Sequence, residues 1–217
     1  MAMSINRKYI NGNTLKYILL YAILFFFTYL MLLITLQYFP IKYDVAFLRI
    51  KDEPIQLLHY KIAFFTHVFT SMFALLAGFT QFSKYILKNH KKTHRNIGKL
   101  YVFVILFLTG PSGFIMAIYA NGGYTSKIGF LFLDILWIYF TAKAFRLALK
   151  KDFKNHENYM YRSYALTLSA ITLRAWKYIL VLLFQPAPMD VYRLVAWLGF
   201  IPNLLLIEFL IWKKLLK

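Results

Sequence analysis

Apolar residues fall in six long blocks separated by short polar stretches. A helix needs about 20 mostly apolar residues to cross about 30 Å of hydrocarbon. The blocks reach that length at 17–37, 62–85, 100–119, 128–149, 161–184 and 191–212. The pattern predicts an all-α fold: a polytopic membrane bundle of six transmembrane helices, forming a single integral membrane domain over 1–217. No hydrophilic stretch is long enough for a second domain, and no internal repeat is visible. Asn121-Gly122-Gly123 closes the third block and Gln185-Pro186-Ala187-Pro188 the fifth, both strong turn chemistry. Inside the third, Gly110-Pro111-Ser112-Gly113 removes a backbone donor, so a kink is expected there.

The basic residues then orient the bundle. Arg7, Lys8 and Lys16 precede the first block, and Lys84, Lys88, Lys91, Lys92, Arg95 and Lys99 lie around the second connection. Lys143, Arg146, Lys150, Lys151, Lys154 and Arg162 surround the fourth, and Lys213, Lys214 and Lys217 end the chain; together these are 18 of the 26 Lys and Arg. All four segments share one side if six spans are real. The excess of Lys and Arg in short loops marks the cytoplasmic side, so both termini are expected there, facing anionic lipid headgroups. The formal net charge of +18 is thus mostly topology. Nucleic acid is not an expected partner.

Composition narrows the chemistry. The chain is 60% hydrophobic and 16% charged, against about 25% charged in soluble domains. It has no cysteine, which removes disulfides, iron–sulfur clusters, thiolate zinc sites and cysteine nucleophiles. The first apolar block is longer than a signal-peptide core and lacks a small-x-small cleavage site, so it reads as a retained span. Motifs for serine hydrolases and phosphate-binding loops are missing.

Ionisable residues within spans are costly and therefore point to function. His67, Ser71, Ala74, Gly78, Gln81 and Tyr85 lie at steps of three and four, on one face of the second span. Ser163, Thr167, Ala170 and Arg174 do the same in the fifth, and both faces are expected to look inward. At 1.5 Å per residue, His67, Asp134 and Arg174 fall in an outer-leaflet polar layer. Two readings stay open: an Asp134–Arg174 ion pair, or a proton relay or ligand site built on His67 and Asp134.

A second polar layer gathers at the cytoplasmic rim. Gln81 ends the second span, His94 and Arg95 precede the third, His156 and Arg162 begin the fifth, and Glu208 lies near the inner end of the sixth. Imidazoles such as His94 and His156 could hold haem iron or another metal, with Arg95 and Arg162 for propionates, phosphates or headgroups. The plainer reading pairs Glu208 with Arg162 and leaves the histidines in a wet loop. A membrane di-haem cytochrome needs four histidines within its spans, and only His67 is well inside one.

The run Gly78-x-x-Gln81-Phe82, then His94-Arg95-x-x-Gly98-x-x-Tyr101, resembles the DUF2306 family of predicted bacterial membrane proteins. So do His156-x-x-Tyr159-Met160-x-Arg162-Ser163-Tyr164-Ala165-x-Thr167, leading to Thr172-Leu173-Arg174, and Trp197-x-x-x-Ile201-Pro202-Asn203 followed by Glu208. Members often carry Gly-Pro where this chain has Gly78-Phe79-Thr80, and Trp where Tyr159 stands. The resemblance implies a multi-pass protein of a bacterial inner membrane. It singles out His67, Gln81, His94, Arg95, His156, Arg162, Arg174, Asn203 and Glu208, and it supplies no reaction.

Three functions fit these features. One is a protein binding haem, quinone or metal at the cytoplasmic rim. Another is a small proton-coupled carrier using His67, Asp134 and Arg174, in which a homodimer would supply the second half that inverted repeats provide elsewhere. The third is a non-enzymatic assembly partner whose polar residues only specify helix packing.

Overall fold

A computed structural model describes residues 12–215, with side chains from residue 18 onward. Ten α-helices follow in chain order: α1 (Gly12–Leu36), α2 (Leu58–Gln81), α3 (Lys84–Asn89), α4 (Lys91–Phe103), α5 (Gly110–Ile118), α6 (Gly123–Leu149), α7 (Phe153–Thr167), α8 (Ser169–Phe184), α9 (Pro188–Leu198) and α10 (Ile201–Trp212). There is no strand among the described residues. Five stretches are long and apolar enough to cross a membrane: 18–36, 58–81, 91–118, 123–149 and 188–212. The pair α7 and α8 makes a sixth, bent by 41°. The chain is a multi-pass membrane protein.

The expected spans are present, with three physical differences. The second begins earlier, at Leu58, and ends at Gln81; a short separate helix, α3, follows, capped by Ser83 Oγ accepting from the Ile86 N–H. The third begins at Lys91, so its first three turns carry basic residues. The fifth is broken at Leu168, where periodicity suggested one helix. Asn203 from α10 sits at that break, its Nδ2 donating to Ala165 O and Thr172 Oγ1, both at 3.0 Å. A carbonyl freed by a broken helix needs such a donor in lipid, where water cannot supply one.

Pro111 has a local consequence of its own. It has no N–H and its ring crowds the carbonyl four residues back. The ladder relaxes into a π-helical stretch over Val104–Thr109 immediately before α5. Such wide turns leave carbonyls available to other partners and often accompany functional sites.

In lipid, helices associate through close packing and interhelical hydrogen bonds rather than through apolar burial. The centre of the bundle follows that logic. Ala74, Ala77, Tyr101, Trp137, Ala144, Met160, Tyr164 and Phe200 form its buried core. Tyr101 shares hydrogen bonds with Ser163 (2.7 Å) and Thr167 (2.9 Å), Trp137 Nε1 donates to Thr167 (3.1 Å), and Thr141 shares one with Ser163 (2.7 Å). Tyr164 donates to Leu75 O across the bundle, and its ring lies over Gly78, where a Cβ would come within 1.9 Å of the hydroxyl. Only glycine admits that crossing.

A second core, Tyr38, Leu48, Ile55, Tyr60 and Phe64, closes the end of the bundle that holds the α1–α2 connection. Lys51 is locked into it at 2% exposure. Its Nζ donates to Tyr119 O and to Asn121 Oδ1 (2.6 Å) and lies 5.5 Å from the Phe47 ring centroid. Burial and the nearby Lys127 lower its pKa to about 8. By contrast α1 packs along α2 and α8 alone among the helices with substantial contacts, and leaves most of its side chains outward.

Candidate functional site

The Pro111 distortion builds one half of the polar layer around His67 and Asp134. Thr109 is fully buried, and its carbonyl accepts from Ser112 Oγ (3.0 Å) and from His67 Nδ1 (2.9 Å). A carbonyl only accepts, so Nδ1 carries the proton, and Nε2 is the ring's remaining site for proton exchange. Thr70 reinforces the junction, sharing a 2.9 Å hydrogen bond with Thr109 Oγ1.

The other half comes from α6. Asp134 is 5% exposed, and its Oδ2 is buried without a hydrogen-bond partner among the described residues. Gly113 lies between the carboxyl and the imidazole. A Cβ built there would sit 2.8 Å from Asp134 Oδ1 and 3.1 Å from both Nδ1 and Cε1 of His67. Acid and ring therefore face one another across a single missing methyl group.

Arg174 does not join them. The ion pairs among the described residues are Arg162–Glu208 and Arg193–Asp190, so the expected Asp134–Arg174 pair is absent. The physical reason is the break at Leu168. It turns α8 away from the line of α7, so Ser163 and Thr167 stay in the core while Arg174 faces α1. Its Nη1 donates to Ala170 O at 2.6 Å, and its charge is felt at His67 and at the Tyr38 hydroxyl. The polar layer is thus split into a His67–Asp134 site and a cation standing apart.

At the opposite end, the rim residues come together only in part. Arg162 grips Glu208 through Nε and Nη2, the latter at 2.8 Å, and its guanidinium lies 4.9 Å from the Tyr159 ring. That is the plainer of the two expectations for this pair. Gln81 Nε2 donates to His94 O at 3.2 Å, joining α2 to α4. His156 Nδ1 donates to Ala144 O at 2.9 Å, while His94 Nδ1 is buried without a partner among the described residues. The two histidines lie within electrostatic range of one another, on helices rather than in a wet loop. Arg95 is exposed. No group of three or more His, Asp or Glu among the described residues is arranged to hold a metal ion.

Two apolar grooves of about 310 Å³ each open toward lipid. One runs beside Tyr164, Asn203 and Leu24; the other lies between α1 and α8 and includes Arg174. Neither is lined by His94 or His156.

Sequence reading overlooked Gly113, Thr109 and the Tyr101–Trp137–Thr141 network. A signal for the network exists: Asp134, Trp137, Thr141 and Ala144 are spaced three, four and three apart, one face of α6. All four are buried. Gly113 offered less, because its run of glycine and proline reads first as a kink.

No curated protein and no solved structure matches the chain. A family model described as "Predicted membrane protein (DUF2306)" matches residues 64–211, a stretch that includes His67, Asp134, Arg174 and every rim residue named above. The chain belongs to the DUF2306 family of membrane proteins.

Proposed function

We propose that this protein is a proton-coupled carrier of a bacterial inner membrane, in which Asp134 and His67 exchange the proton. The observation that carries this reading is the Asp134 carboxyl, buried in a span with Oδ2 unpartnered among the described residues and Oδ1 separated from the His67 ring by Gly113. A charge inside a span is expensive unless paired. An acid kept there without donors or a cation costs least when protonated, and it needs a nearby acceptor to give up its proton. His67 Nε2 is suited to that role because Thr109 already holds Nδ1–H. Transfer leaves an Asp134 carboxylate beside a His67 imidazolium, and the reverse step restores both neutral groups. The π-helical turn before α5 is a second support, since it is the distortion that presents Thr109 O. Proton flux into proteoliposomes driven by a membrane potential tests the reading. It should be lost in Asp134→Asn, and unchanged flux in that variant would remove the carboxyl from the path.

A second reading rests on a different observation. The buried Nδ1 of His94 has no partner among the described residues and lies within electrostatic range of His156, whose own Nδ1 is committed to Ala144 O and whose Nε2 is left free to ligate. Histidines that bind metals commonly donate their other nitrogen in this way. This rim pair would suit a metal or haem iron, with Gln81 joining α2 to α4. A visible spectrum and metal analysis of protein purified from haem-replete cells decides it. A Soret band or a stoichiometric metal lost in His156→Ala supports the rim site, and a colourless, metal-free preparation contradicts it.

A further inference from the structure

We infer that the groove between α1 and α8 is a binding site for an anionic lipid, whose acid group is held by Arg174. The inference does not rest on proton exchange, and neither His67 nor Asp134 lines this groove.

The groove, about 310 Å³, is walled by apolar side chains: Phe27, Leu30 and Ile34 from α1, and Ile171 and Ala175 from α8. One guanidinium projects into this lining. Arg174 has no acidic partner among the described residues, and its one hydrogen bond is Nη1 to Ala170 O. Nε and Nη2 make no hydrogen bond among the described residues, and Arg174 lines the groove. A cation so placed in an apolar, lipid-facing wall is stable only if an anion joins it.

The lining also specifies what carries that anion. From Ile34 to Phe27 the α1 wall extends about 10 Å at 1.5 Å per residue, the length of a half acyl chain. Toward the α1–α2 connection the groove ends at Tyr178, 74% exposed, with the Tyr38 hydroxyl within electrostatic reach of the guanidinium. That end lies nearer the membrane surface, where the arginine stem can lift its head toward a phosphate. Guanidinium donors match phosphate and carboxylate oxygens two at a time. The ligand is therefore a lipid with an acidic headgroup at Arg174 and one chain along Leu30 and Ile171. Sparse packing of α1 against α8 gives the chain a lateral entry.

Native mass spectrometry of the detergent-purified full chain tests this with dioleoylphosphatidylglycerol and dioleoylphosphatidylcholine as probes. The wild-type protein should retain the glycerol lipid about tenfold more strongly, the scale of one charge-assisted contact. Arg174→Gln should bring it down to the choline level, while exchange of the exposed neighbour, Lys177→Gln, should leave the preference intact. Leu30→Trp, which fills the groove and keeps the cation, should also weaken retention and covers the case in which Arg174→Gln fails to fold. Equal retention of both lipids by the wild type would overturn the assignment, as would a preference that survives in Arg174→Gln and Leu30→Trp. Displacement of the lipid by millimolar inorganic phosphate would mark a bare anion site and would overturn it too.

Discussion

Single residues in this protein divide by whether their polar atoms are answered. Lys51 is answered by a carbonyl, an amide oxygen and an aromatic face, although it is almost fully buried. Its pKa near 8 lies well below the ordinary 10.5. Below pH 8 both folded and unfolded chains carry the proton, and the burial penalty is present in full. Between pH 8 and 10.5 the unfolded chain binds the extra proton, so stability from this group rises with pH. The melting temperature of the wild type should therefore gain on that of Lys51→Met from pH 7.5 to 10. A constant difference across that range would show that Lys51 is not held below its ordinary titration. Asp134 is the opposite case, a buried acid with one oxygen unanswered. Its place in the fourth apolar block was plain from the sequence, as was its depth beside His67. What the sequence did not hold was Gly113, the residue whose missing side chain lets the two meet.

At the scale of elements, close crossings and broken helices do the organising. α2 meets α7 where Tyr164 lies over Gly78, so Gly78→Ala should force the ring aside and cost about 1–3 kcal/mol. Thermal unfolding in detergent measures this. Combining Gly78→Ala with Tyr164→Ala should cost less than the two single changes added together, since the clash is shared; strict additivity would contradict the crossing. The helical spans were legible because about 20 apolar residues in a row have few other uses. The break at Leu168 was not, because hydrophobic periodicity continues across it without a glycine or proline to mark a stop. That one break separates Arg174 from Asp134, and it is why an ion pair expected from depth alone does not form. The kink expected near Pro111 took the form of a π-helical turn, whose freed carbonyl at Thr109 then orients His67.

The whole molecule is a family member whose polar groups include a rim around His94 and His156, a packed hydrogen-bonded centre and the His67–Asp134 site, with Arg174 and Lys51 standing apart from all three. The centre, with Tyr101, Trp137, Thr141, Ser163 and Thr167, answers every hydroxyl it contains and so reads as helix packing. Function is sought where atoms remain unanswered, which favours the site beside Gly113. Family membership fixes the class of protein and leaves the reaction to the residues. The most direct test is proton flux into proteoliposomes under a potassium diffusion potential, compared between wild type, Asp134→Asn and His67→Gln at equal reconstituted amounts. Potential-driven acidification by the wild type, reduced at least about tenfold in both variants while each remains folded, is the predicted result. Flux that is absent in the wild type, or undiminished in Asp134→Asn, would contradict the proton-carrier account.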